Sequence, residues 1–187
     1  MAAFKLDPKR FYVGKAIFWW FFIIGLVADL GSKAWAGAAV RPENWQLGME
    51  TPVIPVIEGV FAWKWAVNLG AAFSIFHGKV VFLAVVGAVA LIAMFAYVYT
   101  VKAEERGMLI GLGLVASGAV GNVADRVTYG WVRDFLYFDF DLPFHETVSF
   151  IPQRYPVFNV ADISILVGAV LLVVASYQQE KRAKAAA

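Results

Sequence analysis

The feature that most constrains this chain is a run of 22 residues without a charge, from Val80 to Val101. As an α-helix, a run of this length crosses the roughly 30 Å hydrocarbon core of a bilayer. Hydrophobic residues make up 61% of the 187-residue chain and charged residues only 16%, against roughly 45–50% and 25% in soluble domains. A soluble globule of this size cannot hide that much apolar surface from water. The sequence therefore excludes disorder and predicts a membrane protein.

Three further apolar runs accompany the first. We predict four membrane spans at about residues 16–36, 80–101, 107–125 and 158–177, with longer connecting segments at about 37–78 and 127–157. The third run is rich in glycine, which lets membrane helices approach closely, so it should pack against other helices rather than lipid. The predicted fold class is an all-α polytopic membrane protein with four transmembrane helices, forming a single domain over residues 1–187.

The first run also has features of a cleaved signal peptide. It is preceded by basic residues, and Ala34-Trp35-Ala36 resembles the cleavage site of such a peptide. Asp29 and Lys33 argue against that alternative, because charges are unusual just before a cleavage site. Their i, i+4 spacing lets them pair on one face of a helix. A retained first span is the favoured interpretation.

Basic residues near the span ends predict the orientation of the chain in the membrane. Nine of the sixteen Lys and Arg residues fall on the side that holds both termini and the short connection after the second span. The longer segments hold fewer basic residues for their length. Both termini are therefore expected to be cytoplasmic and the longer segments extracytoplasmic. The net charge of only +2 gives no field that attracts nucleic acid.

The extracytoplasmic segments are predicted to form a small β-rich cradle. A hairpin is expected around Glu58-Gly59, because bulky residues alternate with smaller or charged ones from Phe61 to Val67. Tryptophans on this side are typical of an interfacial aromatic belt, and the alternative is an amphipathic platform that holds a lipid-bearing substrate. Five of the seven tryptophans lie there: Trp35, Trp45, Trp63, Trp65 and Trp131.

Polar side chains at the outer ends of the spans are the candidates for chemistry, because an Asp inside a span costs roughly 2.5–3.5 kcal/mol. The tetrapeptide Asn-Val-Ala-Asp occurs twice, at 122–125 and 159–162, and its i, i+3 spacing puts Asn and Asp on one helix face. Such groups serve either as packing glue between helices or as an acid–base pair, because two close carboxylates share one proton. From the residues alone, the candidates for that pair are Asp125, Asp134 and Asp162.

Other catalytic sets are poorly represented. The chain has no cysteine, no G-x-S-x-G and no H-E-x-x-H. Ser32 and Lys33 are adjacent, so they point in different directions on a helix and are poorly placed to form a Ser–Lys pair. One more polar cluster is interpreted as a solvated loop rather than a metal site; its members are Asp139, Asp141, His145 and Glu146.

Five blocks of the sequence, in order, resemble lipoprotein signal peptidase, also called signal peptidase II. They are Asp29-Leu-Gly-Ser-Lys33, Asn68-Leu-Gly-Ala-Ala-Phe73, Gly118-Ala-Val-Gly-Asn122-Val-Ala-Asp125-Arg126, Val132-Arg-Asp134-Phe135 and Phe158-Asn159-Val-Ala-Asp162. One such block would be a weak signal, but five in the right order on four spans are highly specific.

The resemblance implies an aspartyl endopeptidase of the bacterial inner membrane, with its active site near the extracytoplasmic surface. It implies that the catalytic pair is Asp134 and Asp162. The residues that would bind the substrate or order that pair are Asn68, Asn122, Arg126 and Asn159. The residues that would support the structure are Asp29, Lys33, Gly118 and Asp125, with Arg126 orienting Asp125.

By the same resemblance, the substrates are prolipoproteins that carry diacylglyceryl on the cysteine following the cut, and no cofactor or metal is implied. Membrane lipids are the other expected partners, and a monomer is expected. The segment 136–157 is longer than in the family but removes no motif residue. The alternative functions are a small polytopic transporter or proton-relay subunit, in which buried Asp and Arg relay protons, and a non-catalytic membrane scaffold.

Overall fold

The computed structural model of the chain describes residues 14–70, 76, 78–143, 146 and 152–186. In this part of the chain four helices are long and apolar enough to cross a membrane, which confirms the predicted spans. They are α1 (Ala16–Ala39), α2 (Val80–Thr100), α3 (Arg106–Tyr129) and α4 (Val160–Ala186). The last two helices run beyond the expected ends at 125 and 177.

A small antiparallel sheet accompanies the helices, with strands β1 (Ile54–Ile57), β2 (Phe61–Asn68) and β3 (Val132–Phe138) in the order β1-β2-β3. The expected hairpin is confirmed, and Gly59 supplies its turn with a φ of 69°, a conformation that glycine adopts without strain. The third strand was not expected from the sequence. Residues 134–137 are all buried, so β3 lacks the alternation that reveals a half-exposed strand.

The described chain divides into two compact units. The first contains residues 14–27, 86–121 and 161–186, and glycines govern its helix packing. A Cβ atom on Gly113 would lie 2.7 Å from the carbonyl oxygen of Phe18, and one on Gly118 would lie 2.3 Å from that of Ala161. Of the hydrophobic stretch of α3, 56% is buried, against 6% for α2. This confirms that the glycine-rich third span packs against helices.

The second unit contains residues 28–70, 76, 78–85, 122–143, 146 and 152–160. Its hydrophobic core joins the end of α1 to the sheet through Ala36, Trp65 and Phe135. The tryptophans of the predicted belt pack on one another here. The ring centroids of Trp35 and Trp63 are 4.9 Å apart, and those of Trp45 and Trp65 are 6.1 Å apart. The sheet therefore packs largely through aromatic side chains.

Candidate active site

A fully buried lysine organises the polar residues of the second unit. Lys33 and Asp29 are both 0% exposed, and the Lys33 Nζ donates to Asp29 Oδ2 across one helical turn at 2.8 Å. The same ammonium donates to Asn122 Oδ1 at 2.9 Å and lies 3.5 Å from Asp125 Oδ2. Burying these charges is tolerable because each has a close partner of opposite sign and several hydrogen bonds. The expected Asp29–Lys33 pair is therefore present, as part of a larger network.

Asp125 joins that network to the sheet. Its carboxylate accepts from the Arg133 side chain, with Oδ1 2.7 Å from Nη2 and Oδ2 3.1 Å from Nε, and from the Arg133 backbone N–H at 3.0 Å. Burial by itself lowers the pKa of Arg133, but hydrogen bonds and attraction from Asp125 outweigh it, so the pKa is raised. The guanidinium also lies 4.6 Å from the centroid of the Tyr129 ring. Arg133 is therefore held as a cation.

A turn at Gly130 makes the pairing of Asp125 with Arg133 possible. Gly130 has a φ of 81° and directly follows the end of α3, where its N–H donates to the Arg126 carbonyl at 3.1 Å. Glycine is the residue that most readily ends a helix in this left-handed conformation. The chain then reverses into β3, which brings Arg133 back to the last turn of the helix.

The network continues to one of the two predicted catalytic residues. Asn159 is completely buried, and its side-chain Nδ2 donates to Asp134 Oδ1 at 2.7 Å. The same nitrogen lies 3.2 Å from Asn122 Oδ1 and 3.3 Å from the Arg133 carbonyl oxygen. Asp134 is 3% exposed. A continuous path of buried polar contacts therefore leads from Lys33 through Asn122 and Asn159 to Asp134.

Backbone hydrogen bonds put Asn159 beside β3. Phe158 and Leu136 form an isolated antiparallel bridge, in which each backbone N–H donates to the other residue's carbonyl at 2.8–3.0 Å. This bridge fixes the chain one residue before Asn159 and two residues after Asp134. The Phe-Asn sequence that precedes α4 is thereby anchored on the strand that carries Asp134.

Asn68 and Arg126, predicted to bind substrate, both contact Gly70. The Gly70 N–H donates to Asn68 Oδ1 at 2.8 Å, and the Gly70 carbonyl accepts from Arg126 Nη2 at 2.7 Å. Arg126 Nη1 also donates to the Asn122 carbonyl at 3.2 Å. The two side chains therefore shape the chain just after β2. The remainder of that block, Ala71 to Phe73, lies outside the described residues.

Asp162 and Gly118 belong to the first unit. Asp162 is half-buried in the first turn of α4. Gly118 supports the packing of α3 on α4, because any side chain there would meet the Ala161 carbonyl. The expected structural role of Gly118 agrees with this geometry.

Arg154 contacts side chains at the end of β3 and in the residues that directly follow it. Arg154 donates to Asp139 at 2.5 Å, to Asp141 at 3.2 Å and to the Tyr137 hydroxyl at 2.9 Å. The hydrogen bond that Arg154 donates to Tyr137, followed by the one that it donates to Asp141, raises the pKa of Arg154. Asp139 and Asp141 therefore both form ion pairs with Arg154. His145, from the same candidate cluster, lies outside the described residues.

Arg133 is the residue that sequence reasoning missed. Arg126 was expected to orient Asp125, whereas the guanidinium that holds both carboxylate oxygens of Asp125 belongs to Arg133. The available signal was the position of Arg133 beside Asp134. Neighbouring strand residues point to opposite faces, and here Arg133 contacts the Asp125 carboxylate whereas Asp134 contacts Asn159.

The fold and this network define a multi-pass membrane protein with a charged cluster of Asp, Asn, Lys and Arg residues, contributed by α1, α3, β3 and the residue before α4. Comparison with known proteins then identifies the family. A family model described as signal peptidase (SPase) II matches residues 21–178. The chain belongs to the signal peptidase II family, and it is therefore an aspartic-type peptidase, a hydrolase.

Individual relatives agree with this assignment, and a solved structure shares the fold. The lipoprotein signal peptidase of Clostridium tetani is 32% identical over 152 residues, covering 81% of this chain and 86% of the relative. That of Deinococcus radiodurans is 34% identical over 179 residues, covering 94% and 85%. A bacterial membrane enzyme solved by the in meso method at 2.3 Å resolution shares the fold, with a TM-score of 0.71 and 23% identity over 91% of this chain and 92% of that one.

Proposed function

We propose that this chain removes the signal peptide from diacylglyceryl-modified prolipoproteins, cutting before the lipidated cysteine, with Asp134 and Asp162 as its catalytic pair. The observation that carries the proposal is the buried Asp134, held by an amide donor inside an ordered charged network. A buried carboxylate with a specific hydrogen-bond partner is a candidate for a functional group. The relatives named lipoprotein signal peptidase support the same substrate class.

The reaction needs one base and one acid. One carboxylate takes a proton from water, and the water oxygen attacks the scissile carbonyl carbon. The other Asp, protonated, donates a hydrogen bond to the carbonyl oxygen as negative charge develops there. When the C–N bond breaks, that proton goes to the leaving nitrogen. The products are a signal peptide with a new carboxyl terminus and a lipoprotein with a free amine on its cysteine.

The proposed setting is the bacterial inner membrane, with both termini cytoplasmic and the catalytic pair near the extracytoplasmic surface. The basic residues of the termini and of the short connection after α2 support this orientation. A lipid-anchored substrate confined to the bilayer would then meet the enzyme by diffusion in the membrane plane. The proton-relay alternative is not favoured, because the chain belongs to a peptidase family.

Two isosteric substitutions test the pair. Asp134→Asn and Asp162→Asn should each lower the rate of cleavage of a diacylated prolipoprotein by roughly 10²–10⁴-fold or more, because an amide can neither accept the proton of water nor protonate the leaving amine. Cleavage is followed by mass spectrometry with purified protein in detergent, together with thermal unfolding to show that each variant is folded.

Asp141→Asn is the matched control, because Asp141 is a carboxylate of the same outer segment with 46% side-chain exposure. It should cleave at close to the unaltered rate. Substantial turnover by either Asp134→Asn or Asp162→Asn would rule out the proposed pair.

A further inference from the structure

The positive charge of Lys33 fixes the orientation of the first side-chain amide on the polar path that ends on Asp134. A lysine ammonium can only donate hydrogen bonds, so the atom of Asn122 that lies 2.9 Å from Lys33 Nζ must be the amide oxygen. The orientation of the Asn122 side chain is therefore fixed by the lysine, and its oxygen also faces Asn159.

Two contacts fix the orientation of the Asn159 side-chain amide. The atom 3.3 Å from the Arg133 backbone carbonyl must be the amide nitrogen, because a backbone carbonyl only accepts. The same atom faces the oxygen of Asn122 at 3.2 Å. The nitrogen of Asn159 is therefore the group that lies 2.7 Å from Asp134 Oδ1. Asp134 receives a hydrogen bond that the surroundings do not allow to reverse.

The charges around Asp134 also favour its ionised form. Among the described residues of the cluster there are three cations, Lys33, Arg126 and Arg133, all in the second unit. The carboxylates joined to them directly or through Asn122 and Asn159 are Asp29, Asp125 and Asp134. The network that contains Asp134 therefore also contains cations, and these favour the ionised form of Asp134.

We propose that the oriented chain from Lys33 through Asn122 and Asn159 holds Asp134 as the carboxylate, which makes Asp134 the base that activates water and leaves the catalytic proton on Asp162. Asn122 and Asn159 are then positioning residues rather than substrate-binding ones. This assignment rests on the proposed peptidase chemistry of the pair.

Burial opposes the assignment, because Asp134 is 3% exposed and burial favours the neutral form of a carboxyl group. The hydrogen bond donated by Asn159 and the cations of the same network act against burial, because both favour the ionised form of Asp134.

The test separates base from acid by changing the leaving group. In a substrate whose scissile amide nitrogen is replaced by oxygen, the leaving alkoxide needs much less protonation than a leaving amine, whereas water must still be activated by a base. Asp162→Asn should therefore cleave this ester at least about 10-fold faster than Asp134→Asn does. Both rates are measured with purified, folded variants and corrected for uncatalysed hydrolysis.

Equal ester cleavage by the two variants, including none by either, or the reverse order would overturn the assignment of base and acid. That failure differs from a failure of the proposed function, in which one of the variants would still cleave the ordinary amide substrate at a substantial rate.

A second experiment tests whether the chain of hydrogen bonds from Lys33 to Asp134 positions the base. Asn122→Leu removes the oxygen that faces both Lys33 and Asn159, so kcat should fall roughly 10- to 100-fold with little change in KM. Ser117→Ala is the matched control, because Ser117 is a buried polar residue of α3 whose hydroxyl donates to the Leu114 carbonyl of its own helix. A rise in KM with kcat unchanged in Asn122→Leu would mean that Asn122 binds substrate, and the positioning role would be wrong.

Discussion

At the scale of single residues, the site is defined by charges that are buried and paired rather than by an exposed catalytic group. Lys33 is 0% exposed and is contacted by two carboxylates. Replacing a buried ion pair by apolar residues often leaves stability unchanged or raises it. Stability alone therefore does not account for the buried charge of Lys33, which also orients Asn122 and, through it, the Asn159 side chain that contacts Asp134.

Asp125 is predicted to matter more for stability than for chemistry. Asp125→Asn keeps the shape of the side chain but removes the charge that Arg133 and Lys33 face. Breaking a buried pair in this way costs about 3–5 kcal/mol, whereas the bond from Asn159 to Asp134 does not involve Asp125. We expect a large fall in the unfolding temperature in detergent, and a smaller loss of activity per folded molecule than in Asp162→Asn.

The control for Asp125→Asn is Glu180→Gln. It also removes the acid of an ion pair, but Glu180 and Lys184 are both largely exposed, and exposed pairs contribute little to stability. Its unfolding temperature should stay close to that of the unaltered protein. If Asp125→Asn were as inactive as Asp162→Asn while unfolding at the normal temperature, Asp125 would have to be counted among the catalytic residues.

At the scale of elements, the sequence predicts what depends on local composition and misses what depends on tertiary pairing. The four spans follow from uncharged runs, and the first hairpin follows from alternation around Gly59. Strand β3 was missed because it is buried on both faces. The contact of Asp125 with Arg133 was missed because it depends on the reversal at Gly130, which no helical spacing rule describes.

The packing of α3 on α4 is predicted to depend on Gly118. Gly118→Ala puts a Cβ atom 2.3 Å from the Ala161 carbonyl oxygen, too close for any contact, so the helices must separate at a cost of about 1–3 kcal/mol. Gly31→Ala is the matched control, because nothing lies within 4 Å of its Cβ position in α1 and alanine favours a helix by about 1 kcal/mol.

Thermal unfolding in detergent distinguishes the two glycine variants. Gly118→Ala should unfold several degrees below the unaltered protein, and Gly31→Ala at the same temperature or above it. Equal unfolding temperatures for the two variants would show that α3 and α4 tolerate a side chain at position 118, and the close approach of these helices would not be needed for stability.

At the scale of the whole molecule, the apolar surface of the helices favours insertion in a bilayer, and the placement of charged residues favours one orientation. Large apolar side chains such as Val81, Ile92 and Val173 are more than two-thirds exposed, as expected where lipid rather than water covers the helices. By contrast, one network of ion pairs joins Asp29, Lys33, Asp125 and Arg133. A chain built in this way needs the bilayer as solvent for its helices, and its basic residues then decide which side faces the cytoplasm.

The orientation is predicted to place the β1–β2 hairpin outside and the end of α4 in the cytoplasm. The chain contains no cysteine, so a single introduced cysteine reports its own location. In cells whose outer membrane has been permeabilised, Glu58→Cys should react with a membrane-impermeant thiol reagent, because Glu58 is exposed in the hairpin turn. Glu180→Cys, on the exposed end of α4, should react only after detergent opens the inner membrane. The opposite labelling pattern would invert the proposed topology and move the catalytic pair to the cytoplasmic side.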